Sequence, residues 1–581
     1  MRRFVLIALA LCLLFCASSA SAATGDLTFK DCLAKFASSP CAGVPSEVLQ
    51  GGRDVAISPD GRLVYVADGQ NEVVGFTRSL VDGSLVYAGC VDGGSTAGCT
   101  HLSVNLLAAP GSLAFSPDGT SLYVASEGSD AIVRFTVGAT GALTLASCAE
   151  AVALPDWGCG SDVASLDNPL RVVVSPDGAS VYATSEEATL NHFSASLQSL
   201  HCYREVGVAG CAGQLEPLAG PRGLAISPDG KFVYVTSTGH DAIGWFKREL
   251  DGSLTFKSCT DDGDDASQFT DACVEDSATD YDFLNHIAFN PDGSDAYVTD
   301  ETGLGTVHHF TRDVVTGALA RKDCLADSLG DVPGCVKLSN TTGSGLSSVT
   351  DAVVSPDAAN LYTVAFQDSA LSTFGLGSDG TMSFIRCLRA SEFQGCEGFA
   401  PSVLDAPHAV AISPDGHDLY VANHSGIPAL LHFEREAPGT RPGEEPGPEE
   451  PGPGTGTGGL GSGSGSGSTS GPSPTSPPGP NPPPPPPVAK CGGFKATKVG
   501  TARADTIKGT PKKDVIAAGG GDDKVSALGG KDIVCGEGGN DRLGGGTGGD
   551  LLLGGPGRDT LLGNGGTDHF VGGPGRDSVK Q

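Results

Sequence analysis

The 581-residue sequence predicts an all-β protein built from two repeat arrays, and three observations carry that reading. A Ser-Pro-Asp-Gly turn or a close variant recurs seven times between residues 58 and 416. Strand-like runs surround each copy at matching offsets. Nine nonapeptides then follow one another without a gap from Gly500 to Lys580.

The turns begin at Ser58, Ser116, Ser175, Ser227, Asn290, Ser355 and Ser413, spaced by 58, 59, 52, 63, 65 and 58 residues. Two are variants, Asn-Pro-Asp-Gly at Asn290 and Ser-Pro-Asp-Ala at Ser355. Proline presets φ, aspartate bonds the backbone ahead, and glycine supplies positive φ. The aspartates therefore read as turn formers, not catalysts. An apolar run such as Val55-Ala56-Ile57 precedes each turn, and an alternating run such as Leu63-Val64-Tyr65-Val66 follows it. A third run ends in an aromatic, as in Val73-Val74-Gly75-Phe76, and a fourth opens on Gly-Ser-Leu or a variant, as at Gly83. Four short strands joined by turns make one antiparallel sheet, and seven such sheets predict a β-propeller.

The seventh copy, His408 to Glu434, holds only three strands. Its fourth is predicted at the N-terminus, because Gly25-Asp26-Leu27-Thr28-Phe29-Lys30-Asp31-Cys32 matches Gly252-Ser253-Leu254-Thr255-Phe256-Lys257-Ser258-Cys259. Leu27–Lys30 would then pair with Leu430–Phe433 and close the ring.

Cysteines fall in pairs on the same period: 32/41, 90/99, 148/159, 202/211, 259/273, 324/335 and 387/396. The first of each pair ends a fourth strand and the second lies in the connection to the next blade. Zinc is the competing reading, but the spacing is wider than in zinc knuckles and no histidine pairs recur beside them. Seven local disulfides are predicted, each an entropic staple of about 2–3 kcal/mol.

Residues 25–434 resemble the seven-bladed propellers of the lactonase and YVTN-repeat superfamily. The resembling motifs are Val55-Ala56-Ile57-Ser58-Pro59-Asp60-Gly61 with Val64-Tyr65-Val66, and Tyr234-Val235-Thr236-Ser237. The resemblance implies architecture; a fold alone does not fix an activity.

Residues 437–490 change composition to Glu-Pro-Gly, then Gly-Ser, then the run Pro482–Pro487. They predict a disordered linker with a stiff polyproline end.

In the nonapeptide array, position six is always aspartate: Asp505, Asp514, Asp523, Asp532, Asp541, Asp550, Asp559, Asp568 and Asp577. Two residues later comes an apolar side chain, from Ile507 to Val579. This resembles the RTX-type calcium-binding repeat, Gly-Gly-x-Gly-x-Asp-x-U-x with U apolar. The resemblance implies a parallel β-roll with two repeats per turn, and carboxylates and carbonyls from stacked loops supplying the oxygen shell that Ca²⁺ prefers. The implied metal residues are Asp523, Asp541, Asp559 and Asp577 along one edge and Asp532, Asp550 and Asp568 along the other. The first two repeats, Gly500–Lys508 and Gly509–Ala517, lack most glycines and look like a cap. Lys513, Lys531, Arg558 and Arg576 occupy position five, where the family favours Asn or Asp, and a cation there weakens a neighbouring site. A Gly/Asp ladder that folds with little calcium is the alternative. Cys491 and Cys535 are predicted to pair and pin the cap.

Three further features bound the function. Arg2-Arg3, the apolar run Phe4 to Cys16 and Ala20-Ser21-Ala22 make residues 1–22 a signal peptide, and no membrane span follows. Secretion agrees with the paired cysteines. Residues 24–436 hold 20 Lys+Arg and 53 Asp+Glu, a charge of -33, whereas residues 491–581 hold 12 and 11, or +1. An acidic front domain repels nucleic acid and anionic lipid.

No zincin helix, P-loop or other catalytic constellation stands out. Propeller sites lie at the channel mouth near the start of each first strand, which here carries Arg53, Asp54, Arg171, Arg222, His286, Asp351 and His408. The set does not repeat, and the His-rich loops of cytosolic lactonases are not evident. The catalytic residues are therefore unknown, and the reading leans away from an enzyme. The sequence predicts a secreted calcium-binding protein whose propeller, residues 23–436, is a binding or adhesion scaffold. Its partner would be an extracellular protein, a glycan or a small molecule at the channel. An extracellular lactonase-like hydrolase carried on a calcium-folding tail, residues 491–581, is the alternative.

Overall fold

The computed structural model describes residues 25–436 and 490–580 except for short segments. In the front unit these are 36–40, 45–47, 95, 152–158, 160, 162, 164, 187, 205–210, 215–217, 263–272, 277–280, 282, 302–304, 328–331, 339–344, 390–395, 399–402 and 426–428. In the tail they are 492–493, 502, 537–538, 555–556, 567 and 572–577. The predicted signal peptide, nearly all of the predicted linker and Asp577 lie outside the described residues.

The front unit is a ring of seven antiparallel sheets. Blade 1 runs Gly52–Ile57, Leu63–Asp68, Glu72–Arg78, Leu85–Asp92, and blades 2 to 6 repeat the order. Blade 7 takes Pro407–Ile412, Asp418–Asn423 and Ala429–Arg435 from the end of the array and Leu27–Ala34 from the N-terminus. The closing pair is antiparallel, with Leu27 opposite Arg435 and Phe29 opposite Phe433, as the split repeat requires.

Among the described residues, six blades depart from the predicted four strands by carrying a short fifth strand parallel to the fourth, such as Thr100–His101 beside Leu85–Asp92. Each of these strands begins at or just after the second cysteine of a disulfide such as Cys90–Cys99, which folds the connection back against the strand that it leaves. All seven predicted pairs are present, as is Cys491–Cys535.

Every second strand is buried along its whole length, because neighbouring blades cover both of its faces. Its third residue is always tyrosine, and each hydroxyl donates to a turn carbonyl of the next blade. Tyr65 reaches Gly141 O at 2.7 Å, Tyr297 reaches Gly380 O at 2.8 Å, and Tyr362 reaches Gly25 O at 2.9 Å. Tyr420 closes the circuit on Gly83 O at 2.5 Å.

The Ser-Pro-Asp turns are formed as predicted: Ser58 Oγ donates to Asp60 Oδ1 at 2.6 Å, and that oxygen accepts the Arg62 N–H at 3.1 Å. Four of the turn aspartates also serve a purpose that local chemistry does not reveal. Each pairs with the arginine that ends the third strand of the following blade: Asp177 with Arg248, Asp229 with Arg312, Asp357 with Arg435, and Asp415 with Arg78.

The tail is a parallel roll of two five-stranded sheets, with residues 18 apart in register, Val525 beside Leu543 and Val534 beside Leu552. The apolar eighth positions make its thin core, including Ile516, Val525, Val534, Leu543, Leu552 and Leu561. Gly539, Gly548, Gly557 and Gly566 at the fourth position adopt φ from +127° to +152°. A Cβ on any of them would strike the carbonyl 18 residues earlier. Arg503 and Lys512 hold this position in the first two repeats, which have no nonapeptide turn before them. That explains why the cap dispenses with its glycines.

Candidate functional site

Two places concentrate chemistry, the channel mouth of the propeller and the aspartate edges of the roll. At the mouth, one structural device acts in every blade. The pairing of first and second strand slips at the second residue of the first strand, between Gly52 and Asp54, Pro110 and Ser112, Leu284 and His286, and at the corresponding places elsewhere. Such bulges re-aim side chains. The bulged residues Arg53, Gly111, Leu170, Arg222, Asn285 and His408 line a cavity of about 240 Å³ at the mouth, together with Arg171. The next residues, Asp54, Ser112, Arg171, His286 and Asp351, line a second cavity of about 320 Å³ that continues into apolar walls such as Val55, Leu224 and Ile412. The structure thus brings together all seven of the predicted mouth residues, in two layers.

The two carboxylates of the lower layer are fixed by backbone. Asp54 accepts the Val55 N–H at 2.8 Å and, across the blade boundary, the Leu113 N–H at 2.7 Å. Asp351 repeats this with Ala352 and Val410, both at 2.8 Å. Burial pushes Asp54 up to about 7 and Asp351 up to about 6, with Arg171 opposing in both cases. Burial and the charge of Arg171 hold His286 and His408 down at about 3, so both are neutral imidazoles at ordinary pH. His286 Nδ1 lies 3.2 Å from Asp351 Oδ1, and His408 Nδ1 lies 2.8 Å from the Arg53 carbonyl. Arg53 itself pairs with Glu127.

Sequence reasoning missed Glu127, Glu301 and His424 at this mouth. All three directly follow a second strand, so the repeat alignment already marked their position.

Along the roll, each aspartate is tied to the one a turn earlier. Asp523 Oδ1 accepts the Asp505 N–H at 2.7 Å, Asp541 Oδ1 that of Asp523 at 2.8 Å, and Asp559 Oδ1 that of Asp541 at 2.8 Å. The other edge repeats this through Asp514, Asp532, Asp550 and Asp568 at 2.8–2.9 Å. The second oxygens separate the cap from the rest. In Asp505 and Asp514, Oδ2 accepts the N–H of Thr501 at 2.6 Å and of Thr510 at 2.5 Å. In Asp523, Asp532, Asp541 and Asp550, Oδ2 is buried and has no hydrogen-bond partner among the described residues.

A Cβ at Gly536 would collide with the Asp541 Oδ2, and one at Gly545 with the Asp550 Oδ2, so in these two repeats glycine at position one makes the space for that oxygen. Burial, then the neighbouring carboxylates, raise these acids, Asp541 to about 6. Buried anionic oxygens lacking any donor, stacked one strand spacing of about 4.8 Å apart, fit a hard divalent cation.

Residues 499–534, 509–543 and 544–579 match the family model of the RTX calcium-binding nonapeptide repeat. A search of curated proteins returns no match. Among solved structures, the chain is similar to hydrazine synthase of Kuenenia stuttgartiensis at 15% identity, over 69% of this chain and 99% of that one, with a TM-score of 0.43. It is also similar to a putative 6-phosphogluconolactonase from Bacteroides uniformis at 20% identity, over 60% and 84%, with a TM-score of 0.40. The periplasmic gluconolactonase of Pseudomonas aeruginosa matches at 16% identity, over 58% and 85%, with a TM-score of 0.41. The chain is therefore a seven-bladed propeller carrying RTX calcium-binding repeats.

Proposed function

We propose that this is an exported protein whose tail folds around calcium and whose propeller is a binding scaffold. Residues 1–22 direct secretion, 23–436 form the propeller, 437–490 space the two domains, and 491–581 take up the ion. Asp523, Asp532, Asp541, Asp550, Asp559, Asp568 and Asp577 supply the carboxylates. The observation that carries the reading is the row of buried, unpartnered Oδ2 atoms. Without a cation these carboxylates repel one another along each edge of a thin core. Much of the folding free energy then comes from ion binding, as in other small metal-dependent domains. Folding after export follows, since calcium is plentiful outside cells.

At the propeller, the mouth rather than a reaction centre is the interaction surface. Both lower carboxylates already accept two backbone N–H groups. Arg171 and Arg222 face the same opening, so an anionic group of an extracellular protein, glycan or small molecule fits there.

Circular dichroism of residues 491–581 during calcium titration tests the proposal. A gain of β-structure on calcium addition, reversed by chelator, is expected. An unchanged spectrum with no calcium retained on dialysis would show that the repeats are only a structural ladder.

A further inference from the structure

Four of the seven blade boundaries are latched by one arrangement. An arginine at the end of a third strand meets the turn aspartate and the tyrosine hydroxyl of the preceding blade, and Arg78, Arg312 and Arg435 also meet the turn carbonyl of their own blade. Arg312 donates to Tyr234 Oη at 2.7 Å, to Gly293 O at 3.0 Å and to both Asp229 oxygens at 3.1 and 3.2 Å. Arg435 does the same with Tyr362, Gly416 O and Asp357 at 2.8–3.1 Å.

The boundary between blades 5 and 6 has every part of this arrangement except the arginine. Leu376 holds the position, its N–H on Ala359 O at 2.8 Å as the Arg312 N–H is on Ser294 O at 2.7 Å. Asp292, the Tyr297 hydroxyl and Ala358 of the turn line a cavity of about 330 Å³, roughly ten times the ~30 Å³ share of one water. It reaches solvent beside the exposed residues Asp292, Gly377 and Ser378. Tyr297 is fully buried; its hydroxyl donates to Gly380 O and accepts from no group among the described residues.

The likeness to the boundary of blades 7 and 1 extends to five side chains. There Asp415, Asp418 and Tyr420 hold Arg78. His432 stacks on Tyr420 at 5.0 Å, bonds Asp418 at 2.8 Å and lies 3.5 Å from Asp31. Between blades 5 and 6, His309 stacks on Tyr297 at 5.0 Å, bonds Asp295 at 2.9 Å and lies 3.3 Å from Asp323. Asp292 and Asp295 stand where Asp415 and Asp418 stand. A guanidinium is thus bound by this same constellation elsewhere in the molecule, in the planar fork geometry that arginine suits.

We infer that the cavity between blades 5 and 6 is a binding site for an alkylguanidinium, supplied by an arginine side chain of a partner chain or by a free arginine-like molecule. It lies at the opposite end of the first strands from the channel mouth and does not depend on calcium.

The test uses the full mature chain, in saturating calcium and again in chelator, titrated calorimetrically with methylguanidinium, free arginine, a blocked Gly-Arg-Gly tripeptide and its Gly-Lys-Gly counterpart. Saturable binding of the guanidinium ligands is expected, at least ten-fold tighter than of the lysine peptide, and in both media. Binding of the tripeptide alone identifies a partner chain, and equal binding of free arginine identifies a small molecule. Leu376→Arg should supply the guanidinium from within, abolish binding and raise the unfolding temperature. Asp292→Asn keeps the turn acceptor but loses the charge, and should weaken binding at least ten-fold in a chain that folds normally. Absence of saturable binding, unchanged binding in both variants, or equal binding of the lysine peptide would overturn the inference.

Discussion

Asp541 condenses the logic of the tail. Its Oδ1 accepts the Asp523 N–H and so serves the fold, while its Oδ2 faces no donor among the described residues and is the atom proposed to take the ion. Asp541→Ala should therefore lower calcium affinity about ten-fold or more, and more than Asp577→Ala at the end of the stack. Competition with a calcium-sensitive dye measures both. The difference also rests on Asp522 and Asn540, which bond each other between successive turns at the position where Lys513, Lys531, Arg558 and Arg576 stand in four other repeats.

The raised acids give a pH signature. Their folded pKa exceeds the unfolded value, so the calcium-free roll has their contribution in full below about pH 4 and loses it as pH rises through about 6. Calcium needs the ionised form, so it reverses this trend. In chelator the isolated tail should gain β-structure on acidification from pH 7 to 4. In calcium it should lose affinity over the same interval. Circular dichroism at fixed ionic strength distinguishes the two trends.

At the scale of elements, the blade boundary is the unit that matters. Seven buried tyrosines and four arginines at most 9% exposed join neighbouring sheets. Removing an arginine strands a turn aspartate and a tyrosine hydroxyl at once. Arg435→Ala should cost the propeller about 3 kcal/mol, against about 1 kcal/mol for Tyr420→Phe, which removes one neutral hydrogen bond. Urea denaturation of residues 24–436 measures both, and equal costs would mean that the arginine is only a packing group. The pairs Ser58–Asp60 and Cys90–Cys99 were legible in the sequence because both partners lie within ten residues. Arg78 with Tyr420 was not, since 342 residues separate them and only the closed ring makes them neighbours.

For the whole molecule, the N-terminal strand is the fastening. Leu27–Ala34 covers the edge of Ala429–Arg435, Gly25 O receives Tyr362, and Cys32 pairs with Cys41. A chain starting at residue 36 exposes a long edge strand and a free thiol. Exposed edges of this kind template association. Loss of the monomer peak on size exclusion, together with a broadened thermal transition, is the expected result. A monomer with an unchanged transition would mean that the ring does not need its closure.

What the sequence determined by itself is whatever repeats or lies close by: seven turns, the split blade, eight disulfides and an aspartate every ninth residue. Periodicity is a property of order along the chain, and two-residue turn chemistry needs no distant partner. The tertiary structure alone decided which side chains meet across blades. It aimed Arg53, Arg222 and His408 into one mouth by a bulge in each first strand, and gave Asp54 and Asp351 their backbone partners in the next blade. It also separated the two oxygens of Asp523, Asp532, Asp541 and Asp550, one spent on the neighbouring turn and one buried without a donor among the described residues. Those outcomes depend on ring closure and on stacking at 18 residues, where the partners are set by geometry in space and carry no mark in the local sequence.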